Sequence, residues 1–169
     1  IYIKDMIIFL KNKHILKVDD FYFKCCIGRG NTSIKKIEGD KKTPKGIFSL
    51  EHLYYRKDRI KISKTNLKCI PINPKMGWSN DINNTKNYNK LIVVNNKILH
   101  EKLYRKDYKY DLLIPIKYNF QKRTSGRGSC IFIHLTKDYK PTAGCIALQE
   151  KDFLIMLKII NKSTKIKIS

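Results

Sequence analysis

Apolar residues recur in short clusters along the chain and never in one long stretch. Eight clusters, at 1–10, 14–18, 21–27, 46–55, 91–94, 112–118, 129–135 and 164–168, are rich in β-branched and aromatic residues and are bounded by turn formers. Each is short enough to be a strand, so the pattern predicts a mostly β fold, a sandwich or barrel-like arrangement. The turns are supplied by Gly28-Arg29-Gly30-Asn31, by Asn95-Asn96 and by Ser125-Gly126-Arg127-Gly128, all residues that tolerate positive φ. Residues 73–89 are polar and predict a long loop, which carries the sole tryptophan, Trp78. One amphipathic helix is predicted near 151–160. Glu150 and Asp152 lie in its first turn, and Phe153, Leu154, Met156, Leu157 and Ile160 form an apolar stripe that should pack on the sheet. A shorter helix is expected over 99–104. A chain of 169 residues fits one domain, taken as 1–169.

Charge adds a constraint on partners. Lys and Arg number 36 against 14 Asp and Glu, a formal net charge of +22, so anionic partners are favoured. The arginines are few and scattered, at 29, 56, 59, 105, 123 and 127, and no basic stripe with interleaved aromatics stands out in the sequence; dedicated nucleic-acid binding is not expected. Cys25, Cys26, Cys69, Cys130 and Cys145 are odd in number and contain no CxxC pair, which argues against a disulfide framework or a zinc knuckle. No apolar run reaches the ~18 residues of a membrane span, and no signal peptide is visible, although the chain starts at Ile1.

The candidate chemistry lies between Ser125 and Leu148, which reads SGRGSCIFIHLTKDYKPTAGCIAL. Strand alternation places Cys130, Phe132 and His134 on one face and Ile131, Ile133 and Leu135 on the other. His134 then ends a strand, and the 11-residue interval to Cys145 lets the chain double back and bring thiol and imidazole together. An imidazole beside a thiol should lower its pKa and make it a nucleophile towards acyl carbons. Gly144 leaves room for a substrate carbonyl beside the amides of residues 144 and 145. The alternative, a buried structural cysteine, stays open on spacing alone. His14, His52 and His100 have no partner at ligand spacing. Cys130, His134 and Cys145 imitate three zinc ligands without a fourth, so no metal or other cofactor is expected. Glu38-Gly39-Asp40 is either a carboxylate pair or, more simply, a turn, and Trp78 either stacks on substrate or fills the core.

His134 followed by Thr142-Ala143-Gly144-Cys145 resembles the L,D-transpeptidase catalytic domain of YkuD type, in a compact branch with a TAGC-type motif. Ile27-Gly28-Arg29-Gly30, Glu38-Gly39-Asp40 through Thr43-Pro44-Lys45-Gly46-Ile47-Phe48, and Met76-Gly77-Trp78 are similar to further segments of that family. The resemblance implies that Cys145 is the nucleophile and His134 the base, with Thr142, Gly144, Gly128 and Ser129 shaping the oxyanion and substrate site. It implies peptidoglycan stem peptides as partners, a cell-envelope or periplasmic location and a monomer. Ala143 and Ala147 stand where many members carry polar side chains; Arg127 is a candidate substitute cation, or a solvated turn residue. The implied reaction is acylation of Cys145 by a stem tetrapeptide, loss of a terminal D-amino acid and transfer to an amine. The alternatives are transfer to water, as in a carboxypeptidase, and a non-catalytic basic module that binds an anionic polymer. A sortase would need an Arg after the Cys, and papain-like enzymes place Cys before His.

Overall fold

A computed structural model describes residues 6–169. Fifteen strands and one helix follow in the order β1 (Ile7–Lys11), β2 (Ile15–Val18), β3 (Phe21–Lys24), β4 (Thr32–Ser33), β5 (Thr43–Pro44), β6 (Gly46–Ser49), β7 (Leu53–Tyr55), β8 (Cys69–Pro71), β9 (Met76–Ser79), β10 (Leu91–Val93), β11 (His100–Lys102), β12 (Leu112–Pro115), β13 (Phe132–Leu135), β14 (Ile146–Leu148), α1 (Glu150–Ile159) and β15 (Lys165–Ile168). The mostly β expectation holds, in the open form: among the described residues no sheet closes into a barrel. One five-stranded sheet runs β3-β2-β1-β15-β6, a second runs β14-β13-β12-β7-β8, and a three-stranded sheet runs β10-β9-β11.

Alternation within each strand decides where the apolar mass goes. Ile8 and Leu10 of β1, Leu16 and Val18 of β2, and Ile166 and Ile168 of β15 face inward from the first sheet. They meet Leu112, Ile114, Ile133, Leu135, Ile146 and Leu148 from the second sheet in one core, closed by Phe153, Met156 and Leu157 of α1. Those helix positions stand at i, i+3 and i+4, the stripe the sequence predicts. On the opposite face of the second sheet, Leu113, Phe132, Tyr110, Trp78 and Leu103 form a second core. The layers are therefore first sheet, first core, second sheet, second core.

Two sequence expectations fail here. The polar stretch 73–89 is no plain loop: Met76–Ser79 is the central strand of the three-stranded sheet, pairing with β10 and β11. The helix expected over 99–104 is the strand β11 instead. Both errors have one cause, the pull of a buried aromatic. Trp78 is 3% exposed, makes edge contacts with Tyr54 and Phe132, and donates its Nε1–H to Asn89 Oδ1 at 3.0 Å, so the polar strand is held by its one large side chain. The cluster at 46–55 divides into β6 and β7, which belong to different sheets. The N-terminal part of the cluster at 1–10 lies partly outside the described residues.

Candidate active site

Strands β13 and β14 run parallel with His134 opposite Ala147, yet only residues 136–145 connect them. Parallel neighbours normally need a longer crossover. Here the connection is guided back along the neighbouring 26–29 segment. Arg29 N donates to Thr142 O, Thr142 N to Ile27 O, and Cys26 and Ala147 exchange both backbone bonds, all at 2.9 Å. The return delivers Cys145 beside Phe132, whose amide donates to the Cys145 sulfur at 3.3 Å. His134 and Cys145 consequently open into one cavity of about 690 Å³.

Three glycine-bearing motifs meet at this point for a steric reason. A Cβ on Gly28 would lie 2.4 Å from Lys41 O and 3.0 Å from the Gly144 Cα, so backbone approaches backbone as closely as it can. Gly144 itself has φ +138, and a Cβ there would lie 2.9 Å from Lys42 O. The fully buried Thr43 fastens the junction: it accepts from Gly28 N at 2.9 Å and donates to Gly144 O at 2.8 Å.

The sulfur holds its proton. A carbonyl can only accept, so the 3.2 Å contact from Cys145 Sγ to Cys130 O requires an S–H donor. Burial pushes the Cys145 thiol well above the ordinary range, and the negative charge of Glu101 adds to the shift. The expectation of a lowered Cys145 pKa is corrected accordingly: burial raises it. His134 Nδ1 lies 2.9 Å from Leu135 O, so Nδ1 carries the hydrogen and Nε2 keeps its lone pair. Burial lowers the His134 pKa to about 4, helped by Lys109 and Arg105 and opposed by the bond to Leu135 O. Thiol and imidazole are both neutral near pH 7. The imidazole is also held edge-on by Tyr110, with ring centroids 5.4 Å apart, and Tyr110 OH donates to Glu101 Oε2 at 2.5 Å.

A histidine kept neutral makes stability pH-dependent with a fixed sign. The unfolded chain takes up a proton near pH 6.5 and the folded one only near 4, so the unfolded state binds more protons between those values and stability falls as pH falls. By pH 4 the loss should reach about 3 kcal/mol. Denaturant unfolding of the wild type and of His134→Asn at pH 7 and pH 4 checks this, because their difference cancels the titrating carboxylates. A difference that does not change with pH refutes it.

The remaining predicted residues divide. Thr142, Ser129, Ala143 and Ala147 line the cavity with Cys145 and His134. Thr142 Oγ1 donates to Cys145 O at 2.6 Å and accepts from Gly144 N at 3.1 Å, so the Gly144 amide is occupied. The Cys145 amide has no acceptor among the described residues. Gly128 stands behind the wall, its amide donating to Tyr88 OH at 3.0 Å. Arg127 is exposed and outside the cavity lining, its carbonyl accepting from Tyr118 OH, which is the solvated-turn alternative. Trp78 fills the second core and does not reach the cavity. Among the described residues no group of three or more His, Cys, Asp or Glu could hold a metal ion.

The architecture and motifs agree with a match to the model of the L,D-transpeptidase catalytic domain, YkuD, over residues 4–168. The chain belongs to this family. Among solved structures, the helical cell shape determining protein Pgp2 from Campylobacter jejuni is 20% identical with a TM-score of 0.54, over 98% of this chain and 48% of that one. Its K307A mutant gives 19% and 0.53, over 99% and 48%. Bdellovibrio bacteriovorus Bd1075 gives 17% and 0.48, over 98% and 47%. At these identities the Pgp2 likeness bears on the fold, and the chain spans about half the length of these structures. No curated protein sequence matches it.

Within this L,D-transpeptidase-family domain the cavity also holds residues that the sequence reading does not single out, among them Lys36, Glu101, Tyr110, Arg105, Lys109 and Lys140. Glu38 was visible as part of Glu38-Gly39-Asp40, whose two carboxylates separate: Asp40 closes the turn by accepting from Ile37 N and Lys42 N, while Glu38 turns inward to accept from Tyr88 OH and from Ser129 Oγ. Lys36, 3% exposed, pairs with Asp40 and donates to Lys42 O at 2.9 Å. Glu101 was hidden by the helix expected over 99–104. Alternation in a strand is what separates it from His100 and Lys102.

Proposed function

We propose that this domain is a cysteine-dependent acyltransferase acting on peptidoglycan stem peptides, an L,D-transpeptidase, with Cys145 as nucleophile and His134 as general base. The observation that carries the reading is the neutral thiol and neutral, Nδ1-protonated imidazole opening into one cavity from adjacent parallel strands. The family assignment supports the reaction class.

The chemistry follows from that pairing. When a stem-peptide carbonyl enters, the S–H turns from Cys130 O to His134 Nε2 and gives up its proton as sulfur attacks, so no free thiolate is stored. The Cys145 amide, which has no acceptor among the described residues, serves as the donor for the developing oxyanion in this reading. Collapse of the tetrahedral adduct breaks the bond to the terminal D-amino acid, whose nitrogen takes the proton from the imidazolium. The thioester then passes its acyl group to an amine, with neutral His134 accepting the amine's proton. Arg105, Lys109 and Lys140 on the cavity wall suit the carboxylates of the peptide, and Glu38 and Glu101 suit its ammonium groups. A cell-envelope or periplasmic location agrees with such a substrate; among the described residues no helix is long and apolar enough to cross a membrane.

Incubation with purified tetrapeptide muropeptides and mass analysis of the products tests the reading. Release of the terminal D-amino acid with new cross-linked or amine-capped products is the expected result. Tripeptide alone means that water is the acceptor and the domain is a carboxypeptidase. Unchanged tetrapeptide, with the domain folded, refutes catalysis on this substrate.

A further inference from the structure

The first sheet buries one face in the core and leaves the other free. Register fixes what the free face displays. Across all five strands one row reads Tyr22, Lys17, Phe9, Lys167, Ile47; beside it run Lys24, Ile15, Lys11 and, on the other flank, Ile7, Lys165, Ser49. Five lysines stand among aromatic and aliphatic side chains, and none of the five strands contains a carboxylate. Tyr22 is 59% exposed, Ile47 57% and Phe9 37%, while Lys11, Lys24, Lys165 and Lys167 are exposed. The Lys17 ammonium lies 5.5 Å from the Tyr22 ring centroid, its stem laid across the sheet.

The geometry points to this face as a docking plate for an anionic lipid bilayer. Four inter-strand gaps of about 4.8 Å make a face about 19 Å wide. Lysine heads reach the phosphates, and Phe9, Tyr22 and Ile47 enter the headgroup layer, the division of labour of a membrane-interface surface. A single-stranded nucleic acid is tracked by a groove lined with stacking rings, and guanidinium forks favour phosphodiesters. The five strands of this face contain no arginine. Because the catalytic cavity opens beyond the second sheet, both sheets lie between it and the plate. Docked in this way, the domain turns its cavity away from the bilayer.

A protein with net charge +22 adheres to many anionic surfaces, so the test compares location at constant charge. Two variants are compared with the wild type by co-sedimentation with vesicles of phosphatidylglycerol and phosphatidylcholine. One carries Lys→Gln at 11, 17, 165 and 167, the other Lys→Gln at the exposed positions 57, 61, 97 and 102. In about 0.15 M salt the face variant should lose roughly 30-fold or more in partitioning, and the control variant only a few-fold. Ile47→Asn, which changes no charge, should weaken vesicle binding and leave binding to an oligo-dT strand unchanged. A measurement without substitutions supports these: on vesicles, Lys11, Lys17, Lys24, Lys165 and Lys167 should be protected from amine acetylation, and Lys57, Lys61, Lys97 and Lys102 should not. Equal losses in the two lysine variants, or acetylation protection spread evenly over both sets, overturn the proposal. Tighter binding to oligo-dT than to vesicles at the same salt, lost in the face variant, overturns it in favour of nucleic acid.

Discussion

Treated with a carbapenem, a β-lactam whose strained carbonyl mimics an acyl donor, the wild-type domain should gain the mass of one adduct, and Cys145→Ala should gain none. The effect is all-or-none because the other four thiols lack the arrangement. Burial raises Cys25 to about 12 and also raises Cys26, Cys69 and Cys130. Cys25, Cys26 and Cys69 lie outside the cavity, and Cys130, which lines it, directs its Sγ to Trp78 O at 3.7 Å, away from His134. His134→Ala keeps the nucleophile and removes its base, so the adduct should still form, slowed by about 10²–10⁴-fold. The pH profile separates this mechanism from a stored thiolate–imidazolium pair. With both groups neutral, acylation falls as pH drops through about 4, where His134 protonates. A preformed ion pair would instead keep Cys145 rapidly alkylated by iodoacetamide throughout the neutral range. An adduct on Cys145→Ala, or faster labelling of another cysteine, removes the assignment.

Gly28→Ala should be the most damaging single methyl addition in the domain. The added carbon would press on two backbone atoms, Lys41 O at 2.4 Å and the Gly144 Cα at 3.0 Å, neither of which can swing aside as a side-chain tip does. Overpacking of this kind costs about 1–3 kcal/mol, and relief would spread the junction that Thr43 fastens. Urea unfolding should show a loss of about 3 kcal/mol, and carbapenem acylation should slow along with it because the Gly144–Cys145 turn shifts. Gly126→Ala is the matched control. Gly126 has φ +78, lies outside the cavity lining and has nothing within 4 Å of where a Cβ would stand, so it should lose only about 1 kcal/mol and keep its acylation rate. Equal behaviour of the two variants would mean that the junction tolerates spreading.

Alternation and motif spacing carried the sequence reading where strands are apolar and bury one face. Ile131, Ile133 and Leu135 do face the first core and Cys130, Phe132 and His134 the other side, as period two requires, although Cys130 itself has φ +54 and lies outside the strand. The reading failed where a strand owes its existence to a partner far along the chain. Met76–Ser79 and His100–Lys102 have little strand propensity between them; they pair because Trp78 is drawn into the second core and because Gly77 lets the His100 ring lie over it, at 2.8 Å from where a Cβ would stand. The charge state of the site was illegible for a different reason. Residue types reveal that a thiol and an imidazole are available, but which proton moves depends on how deep they lie, and depth is a property of the layers that close over them.

The bond from Thr43 to Gly144 joins residues 101 positions apart, and β1 pairs with β15 at the far end of the chain. Contacts of such separation carry a high loop-closure cost and slow the folding of the topologies that depend on them. The turn that carries Cys145 is thus fastened to a segment 101 positions earlier, and a nascent chain that has emerged only through β13 carries the histidine strand without that turn. Any chemistry at Cys145 therefore waits on completed topology, because the cavity it shares with His134 exists only once the domain closes on itself.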